Sequence, residues 1–166
     1  MPSHPPPPHK HIHLIWVGDD TKMPREAMRT WVEMNPSWTV HLWGNQHLLD
    51  CSWENDTHIH TFQTEKNTHY LTGIADIMRY EILYACGGFY VDADTVCVRP
   101  LEDWLFDSSF CASWENEKAR PGLIANTYMY ATPQNPLLLE VINTIKNIPH
   151  ITADHVWKMT GPLTLT

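Results

Sequence analysis

The segment Ala75-Asp76-Ile77-Met78-Arg79-Tyr80-Glu81-Ile82-Leu83-Tyr84, continued by Gly87-Gly88-Phe89-Tyr90-Val91-Asp92-Ala93-Asp94, decides how this chain is read. Within residues 70–86, Leu71, Ile74, Ala75, Met78, Ile82 and Ala85 recur at helical spacing and make one apolar stripe. Gly87-Gly88 stops the helix, because glycine takes the left-handed conformation of a helix end without a steric penalty. Phe89 to Asp94 then reads as a strand ending in two carboxylates. Alternation puts Asp92 and Asp94 on one face, ~6.5–7 Å apart along the strand. Tyr90 shares that face, and Phe89 and Val91 point the other way into the core.

Two carboxylates on one surface repel each other, and a divalent cation relieves the repulsion. Oxygen ligands select Mg²⁺ or Mn²⁺ over zinc, and such ions usually hold phosphates as well as protein. The competing reading is a solvated strand end whose aspartates start a turn. Asp76 and Arg79 are three apart and share a helix face opposite the apolar stripe. They form either a surface ion pair worth ~0–1 kcal/mol or a polar pair beside Asp92 that grips hydroxyls.

Outward from this block, strands and helices alternate. His11 to Val17 is short, rich in β-formers and stopped by Gly18-Asp19-Asp20, so it reads as a buried strand. Pro24 opens a helix with Ala27, Met28, Trp31 and Val32 on its apolar face, ended by Asn35-Pro36. Residues 38–43 make a second strand. The polar stretch 45–68 has no clear period, apart from a short strand at His58–Phe62. Residues 101–106 give a helical turn, and Phe110–Trp114 and Leu123–Ala131 further strands. Asn135 caps a last helix that buries Leu138, Leu139, Val141, Ile142 and Ile145. The pattern is α/β with a largely parallel sheet. Trp16 closes the first strand, at the end where α/β sheets bind ligands; it either stacks on a flat base or packs in the core. Gly18 lacks the rest of a Gly-x-Gly-x-x-Gly or Walker pattern, so diphosphate binding would rest on metal.

The length of 166 residues fits one domain. A net charge of −8 argues against nonspecific nucleic-acid binding. No apolar run approaches the ~18 residues of a membrane span, and the start lacks a basic-then-apolar leader. Cys51, Cys86, Cys97 and Cys111 show no CxxC spacing and read as free thiols of a reducing compartment, which points to a cytoplasmic protein. Residues 1–10 read as an extended Pro/His-rich tail. The crowding of His4, His9, His11 and His13 could alternatively mark a metal-binding tract.

The segment Ile12-His13-Leu14-Ile15-Trp16-Val17-Gly18, the block from Trp31 through Asn35-Pro36 to Trp43, and above all residues 75–94 resemble the DXD-containing sugar transferases of glycosyltransferase family 32. That grouping includes initiating mannosyltransferases and is related to glucosylating domains of clostridial toxins. Asn126 with Pro136, and Thr160-Gly161-Pro162, match weaker downstream blocks, so the resemblance spans residues 11–164 in order. It implies a single GT-A domain of minimal size over residues 11–166. It also implies a UDP- or GDP-sugar donor, a glycan or other hydroxyl acceptor, and retention of configuration. By position, Asp94 would bind Mn²⁺ (or Mg²⁺) directly, and Asp92 would touch the metal shell and the ribose or sugar. Trp16, flanked by Ile15 and Val17, would stack on the base. Asp76, Arg79, Tyr90 and Asn126 would hold the donor, with Asp76, Arg79 and Asp92 carrying the chemistry. The resemblance also implies a further metal or diphosphate ligand late in the chain, for which His155 is the candidate.

Two other readings compete. Phe89 to Val96 also matches the Asp-x-Asp strand of haloacid-dehalogenase-like phosphatases, with Asp92 as nucleophile, Asp94 as general acid and Mg²⁺ as cofactor. The later acidic pair which that chemistry needs is not readable after residue 96. Alternatively, the chain binds a nucleotide-sugar or a glycan without turning it over.

Overall fold

The computed structural model describes residues 10–65, 67 and 69–166. The expected tail therefore lies outside the described residues, except for Lys10. Lys10 is packed: its carbonyl accepts Thr39 N–H at 2.9 Å and its ammonium meets Asp103 at 3.2 Å.

The strands are β1 (His11–Ile15), β2 (Thr39–Trp43), β3 (Gly88–Val91), β4 (Phe110–Trp114) and β5 (Ile124–Ala131). They form one sheet in the order β2-β1-β3-β5-β4. β1 pairs in parallel with β2 and β3, whereas β5 runs antiparallel to β3 and β4. The sheet is therefore mixed, and less parallel than expected. The first half is wound with helical crossovers, which parallel neighbours require; β4 and β5 are joined by the loop 115–123, which suffices for an antiparallel pair.

The helices are α1 (Arg25–Met34), α2 (Asn45–Asp50), α3 (Asp56–Thr64), α4 (Tyr70–Cys86), α5 (Pro136–Lys146), α6 (Val156–Met159) and α7 (Pro162–Leu165). Asp103–Asp107 adds a 3-10 turn. α1 and this turn cover one sheet face, burying Ile12, Leu14, Met28, Trp31, Phe89 and Leu105. α3, α4 and α5 cover the other, around Ile15, Ile59, Ile74, Ile77, Met78, Tyr90, Leu138 and Ile142.

Three local readings are corrected. His58–Phe62 is helical, not a strand, because Ile59 and Phe62, three apart, both pack inward. Val32 and Leu139 are exposed, lying at the edges of their apolar stripes. α4 is buried nearly all round rather than along one stripe, with Leu71 and Ala85 exposed near its ends. Being wrapped by α3, α5, β1 and β3 explains why Asp76, Arg79 and Glu81 are buried with it.

The turn from α4 into β3 requires both glycines. Gly87 and Gly88 have φ of +63° and +108°. A Cβ on Gly88 would sit 2.5 Å from the His11 carbonyl, so only glycine lets β3 approach β1 here.

His11 and His13, two of the four early histidines, lie in β1 and meet His41 of β2; His4 and His9 fall outside the described residues. His13 is buried. Trp43 donates its indole N–H to Nδ1 at 3.2 Å, so Nε2 carries the proton and donates to the Gly87 carbonyl at 2.8 Å. Burial pushes its pKa down to about 4; the Gly87 bond opposes this, and His41 and His11 reinforce it. The folded state thus keeps His13 neutral where the unfolded chain would take a proton, below about 6.5. The stabilisation is complete above pH ~6.5 and is lost as pH falls toward 4, an effect of roughly 3 kcal/mol. Urea unfolding across that window should show a shallower loss of stability in His13→Gln than in the wild type. An equal slope in the variant would assign the acid sensitivity to other groups.

Candidate active site

β1 and β3 run side by side and release their carboxyl ends into the same space. Trp16 N–H donates to the Trp43 carbonyl at 2.8 Å, extending the pairing by one residue. Beyond Val91 the chain leaves the strand: Thr95 N–H closes a turn on the Asp92 carbonyl at 3.1 Å, and Thr95 Oγ1 caps the same oxygen at 2.6 Å. Asp92 and Asp94 therefore sit on a turn, not on one strand face as expected, yet both line one cavity of about 490 Å³. Its other walls include Ile15, Trp16, Val17, Asp19, Lys22, Arg79 and Tyr90.

Beneath this cavity lies a buried polar network. Arg79 is at its centre. One Nη1 contacts Asp92 Oδ1 at 3.0 Å and donates to the Asn126 carbonyl at 2.8 Å. Nη2 contacts Asp76 Oδ1 at 3.0 Å, and Nε donates to the Ala75 carbonyl at 3.3 Å. The guanidinium also stacks 4.5 Å from the Tyr90 ring centroid. Asp76 receives Asn126 Nδ2 at 2.8 Å and Thr160 Oγ1 at 3.0 Å. Burial raises the Asp76 pKa; Arg79, Thr160 and Asn126 work against that rise. Burial works against the Arg79 charge, but Tyr90, Asp76 and Asp92 outweigh it, so its pKa is raised and the guanidinium stays charged. Burial likewise pushes the Tyr90 and Tyr80 hydroxyls up, so both remain neutral donors.

The expected site residues divide into three groups. Ile15, Trp16, Val17, Arg79, Tyr90, Asp92 and Asp94 all line the cavity. Asp76 and Asn126 do not. They are 3% and 5% exposed and belong to the network under the floor, Asp76 through both carboxylate oxygens and Asn126 through its Nδ2 and backbone carbonyl. Both contact Arg79, and the Asp76–Arg79 pair is buried rather than at the surface. His155 is the third case. It precedes α6 and lines a separate cavity of about 470 Å³ with His69, Tyr70 and Trp157. Among the described residues, no group of three or more His, Cys, Asp or Glu side chains is placed to hold a metal, so His155 is not brought to Asp92 and Asp94.

The two carboxylates nevertheless suit a hard cation. Asp92 Oδ1 accepts from Tyr90 at 2.7 Å and pairs with Arg79, which leaves Oδ2 as the oxygen for a ligand. Asp94 is exposed and has no hydrogen-bond partner among the described residues. Mg²⁺-type ions are commonly held by one or two carboxylates, with substrate phosphates and water supplying the rest.

Several contributors escape a reading of the sequence. Asp19 and Lys22 line the cavity because Trp16 Nε1 donates to the Asp19 carbonyl at 3.1 Å, folding the loop back over the indole. Asn45 clamps that loop through both the N–H and the carbonyl of Gly18, each at 2.8 Å. Tyr80 joins the network through Asn126 at 3.1 Å. The Thr160-Gly161-Pro162 match was the one signal that could have located Thr160.

Comparison with known proteins agrees with this geometry. Residues 22–111 match the family described as "Glycosyltransferase sugar-binding region containing DXD motif". The mannosyl phosphorylinositol ceramide synthase SUR1 of Saccharomyces cerevisiae is 27% identical over 175 residues, covering 99% of this chain and 43% of that protein. Inositol phosphoceramide mannosyltransferase 3 of Schizosaccharomyces pombe is 27% identical over 172 residues, covering 95% and 43%. The chain thus spans about two-fifths of the length of these curated relatives. In fold it resembles the solved "PaToxG Glycosyltransferase", with a TM-score of 0.75 at 18% identity over 95% of this chain and 67% of that one. The phosphatase reading of the Asp92 strand gives way to this match. Among the described residues, no helix is long and apolar enough to cross a membrane. With more than half of its residues matched, and its two aspartates set beside Trp16 and Arg79, this chain belongs to the family of glycosyltransferase sugar-binding regions that carry a DXD motif.

Proposed function

We propose that residues 11–166 act as one GT-A domain that moves a hexose from a UDP- or GDP-sugar to a glycan or other hydroxyl acceptor, with retention of configuration. The observation that carries this reading is a single cavity with an aromatic wall, Trp16, and two carboxylates, Asp92 and Asp94, at the strand ends. Its volume of about 490 Å³ is in the range of small-ligand sites.

Asp94 and Asp92 Oδ2 would hold Mn²⁺ or Mg²⁺, which when bound supplies Lewis-acid stabilisation of a leaving diphosphate. Trp16 stacks on the base. Arg79 and Tyr90 fix the Asp92 carboxylate by contacts at 3.0 and 2.7 Å, so its free oxygen is oriented before the donor arrives. Asp92 also places negative charge near an anomeric carbon that becomes oxocarbenium-like. No side chain of the cavity is assigned as a covalent nucleophile. The acceptor oxygen instead attacks from the leaving-group face: the C1–phosphate oxygen bond breaks, the C1–acceptor bond forms, and the departing phosphate takes the acceptor proton.

Thermal unfolding with UDP-, GDP- and CMP-linked sugars, each with and without Mn²⁺, tests the reading. Stabilisation by one nucleotide class, only with metal, is expected. A flat response across the panel would overturn the donor assignment. Slow Mn²⁺-dependent release of nucleotide without acceptor separates an enzyme from a binding module. Trp16→Ala should weaken nucleotide affinity by roughly 1–3 kcal/mol, the scale of base–aromatic stacking. An unchanged affinity on calorimetric titration would make Trp16 a packing residue.

A further inference from the structure

We propose that Lys22 grips the diphosphate of the nucleotide-sugar, an inference that rests on the donor reading above. The cavity wall carries three carboxylates, Asp19, Asp92 and Asp94, and two cations, Arg79 and Lys22. A nucleoside diphosphate brings more negative charge than one divalent ion on this acidic wall offsets, so beside the metal its binding calls for a protein cation with donors to spare.

Arg79 is not that cation. Its side chain is only 5% exposed, and four of its five N–H groups are engaged: by Asp76, Asp92, and the carbonyls of Asn126 and Ala75. Its charge is already balanced by two carboxylates at 3.0 Å. It organises the wall rather than receiving a ligand.

Lys22 is in the opposite condition. Its side chain is 78% exposed and its ammonium stands 3.9 Å from Asp19 Oδ2, beyond hydrogen-bond reach. Asp19 is tied to its own loop through Oδ1, which accepts Thr21 N–H at 2.9 Å and Thr21 Oγ1 at 2.6 Å, so only Oδ2 faces the ammonium, as a loose surface ion pair. Among the described residues, Lys22 Nζ has no hydrogen-bond partner, so all three donors are open to a phosphate. The lysine is also placed by design of the loop. The 3-10 turn Asp20–Lys22 follows directly on Asp19, whose carbonyl accepts the Trp16 indole N–H. Asn45 pins Gly18 from the other side. One short loop thus carries both the stacking ring and the open ammonium. Trp16, Lys22, Asp92 and Asp94 line the same cavity, so a base seated on Trp16 carries its phosphates into a space that the ammonium also faces. Lysine acts here as a point charge, as it does in other phosphate sites.

Calorimetric titration of the chain with UDP and GDP, and in parallel with uridine and guanosine, each with Mn²⁺ at low and high salt, tests this. Lys22→Ala should weaken the bound diphosphate roughly tenfold, the scale of a hydrogen bond to a charged group. It should flatten the salt dependence, leave nucleoside affinity unchanged, and be largely rescued by Lys22→Arg. Equal diphosphate affinity in Lys22→Ala and wild type would overturn the inference while the donor reading stands. Equal losses for nucleoside and diphosphate would overturn it too, by tracing the effect to the loop. A wild type that binds neither diphosphate would overturn the donor reading and this inference with it.

Discussion

Arg79→Met is expected to lower stability by about 3–5 kcal/mol, because it leaves a buried carboxylate without its counter-charge. Asp76 is 3% exposed, and no cation other than Arg79 contacts it among the described residues. Methionine fills most of the volume of the arginine stem, so the loss reports charge rather than a cavity. The substitution also strands the Asn126 carbonyl, which now accepts from Arg79 at 2.8 Å. The pH dependence has a definite sign. Burial already raises the Asp76 pKa, and removing Arg79 takes away the chief opposing influence. A carboxyl whose folded pKa lies above its unfolded value stabilises at low pH and loses that contribution as pH rises. The deficit of Arg79→Met should therefore be larger at neutral pH than in mild acid. Adding Asp76→Asn should recover part of it, since the amide keeps hydrogen bonds to Thr160 or Asn126 without the charge. Urea unfolding of both variants at two pH values measures all of this. A loss below about 1 kcal/mol, as for an exposed pair, would mean that water reaches the network and the pair is not buried in solution.

Asp94→Asn is expected to do the reverse: no change in stability and a loss of metal-dependent turnover of at least about 100-fold, equivalent to the several kcal/mol a Lewis acid supplies. Asp94 is exposed and unpaired among the described residues, so its amide should fold with stability within roughly 0.5 kcal/mol of wild type. Asp92→Asn would be a less clean probe, because Asp92 is also tied to Arg79 and Tyr90. Thermal unfolding and Mn²⁺-dependent nucleotide release from the matching donor give the two readouts. Full turnover in Asp94→Asn would sink the metal assignment at this carboxylate. Loss of turnover together with a large drop in melting temperature would show that Asp94 supports the fold.

The sequence by itself determined the order of the five strands and of α1, α4 and α5, because local patterns mark them, but it missed α2, α6 and α7 and misread α3. Isoleucine and alternation mark β1, Phe110 and Trp114 bound β4, Pro and Asn mark the start of α5, and the glycine pair marks the end of α4. It also put Trp16, Asp92 and Asp94 at the carboxyl ends of predicted strands, and all three line one cavity. What it could not determine were contacts between residues far apart in the chain. Asp76 and Arg79 have the same spacing whether they are solvated or buried; the wrapping of α4 by its neighbours decided that they are buried. α3 has no side-chain cap of its own. The buried Glu81 carboxylate, 26 and 27 residues away in sequence, accepts the N–H groups of Asn55 and Glu54 at 3.0 and 2.7 Å. Thr160, 84 residues from Asp76, completes the network under the site. Lys22 has no pattern around it, and only the folding of its loop over Trp16 brings it to the cavity. Local propensity acts over one or two turns of chain. Desolvated polar groups must find partners wherever the packed elements bring them, so only the tertiary structure chose them.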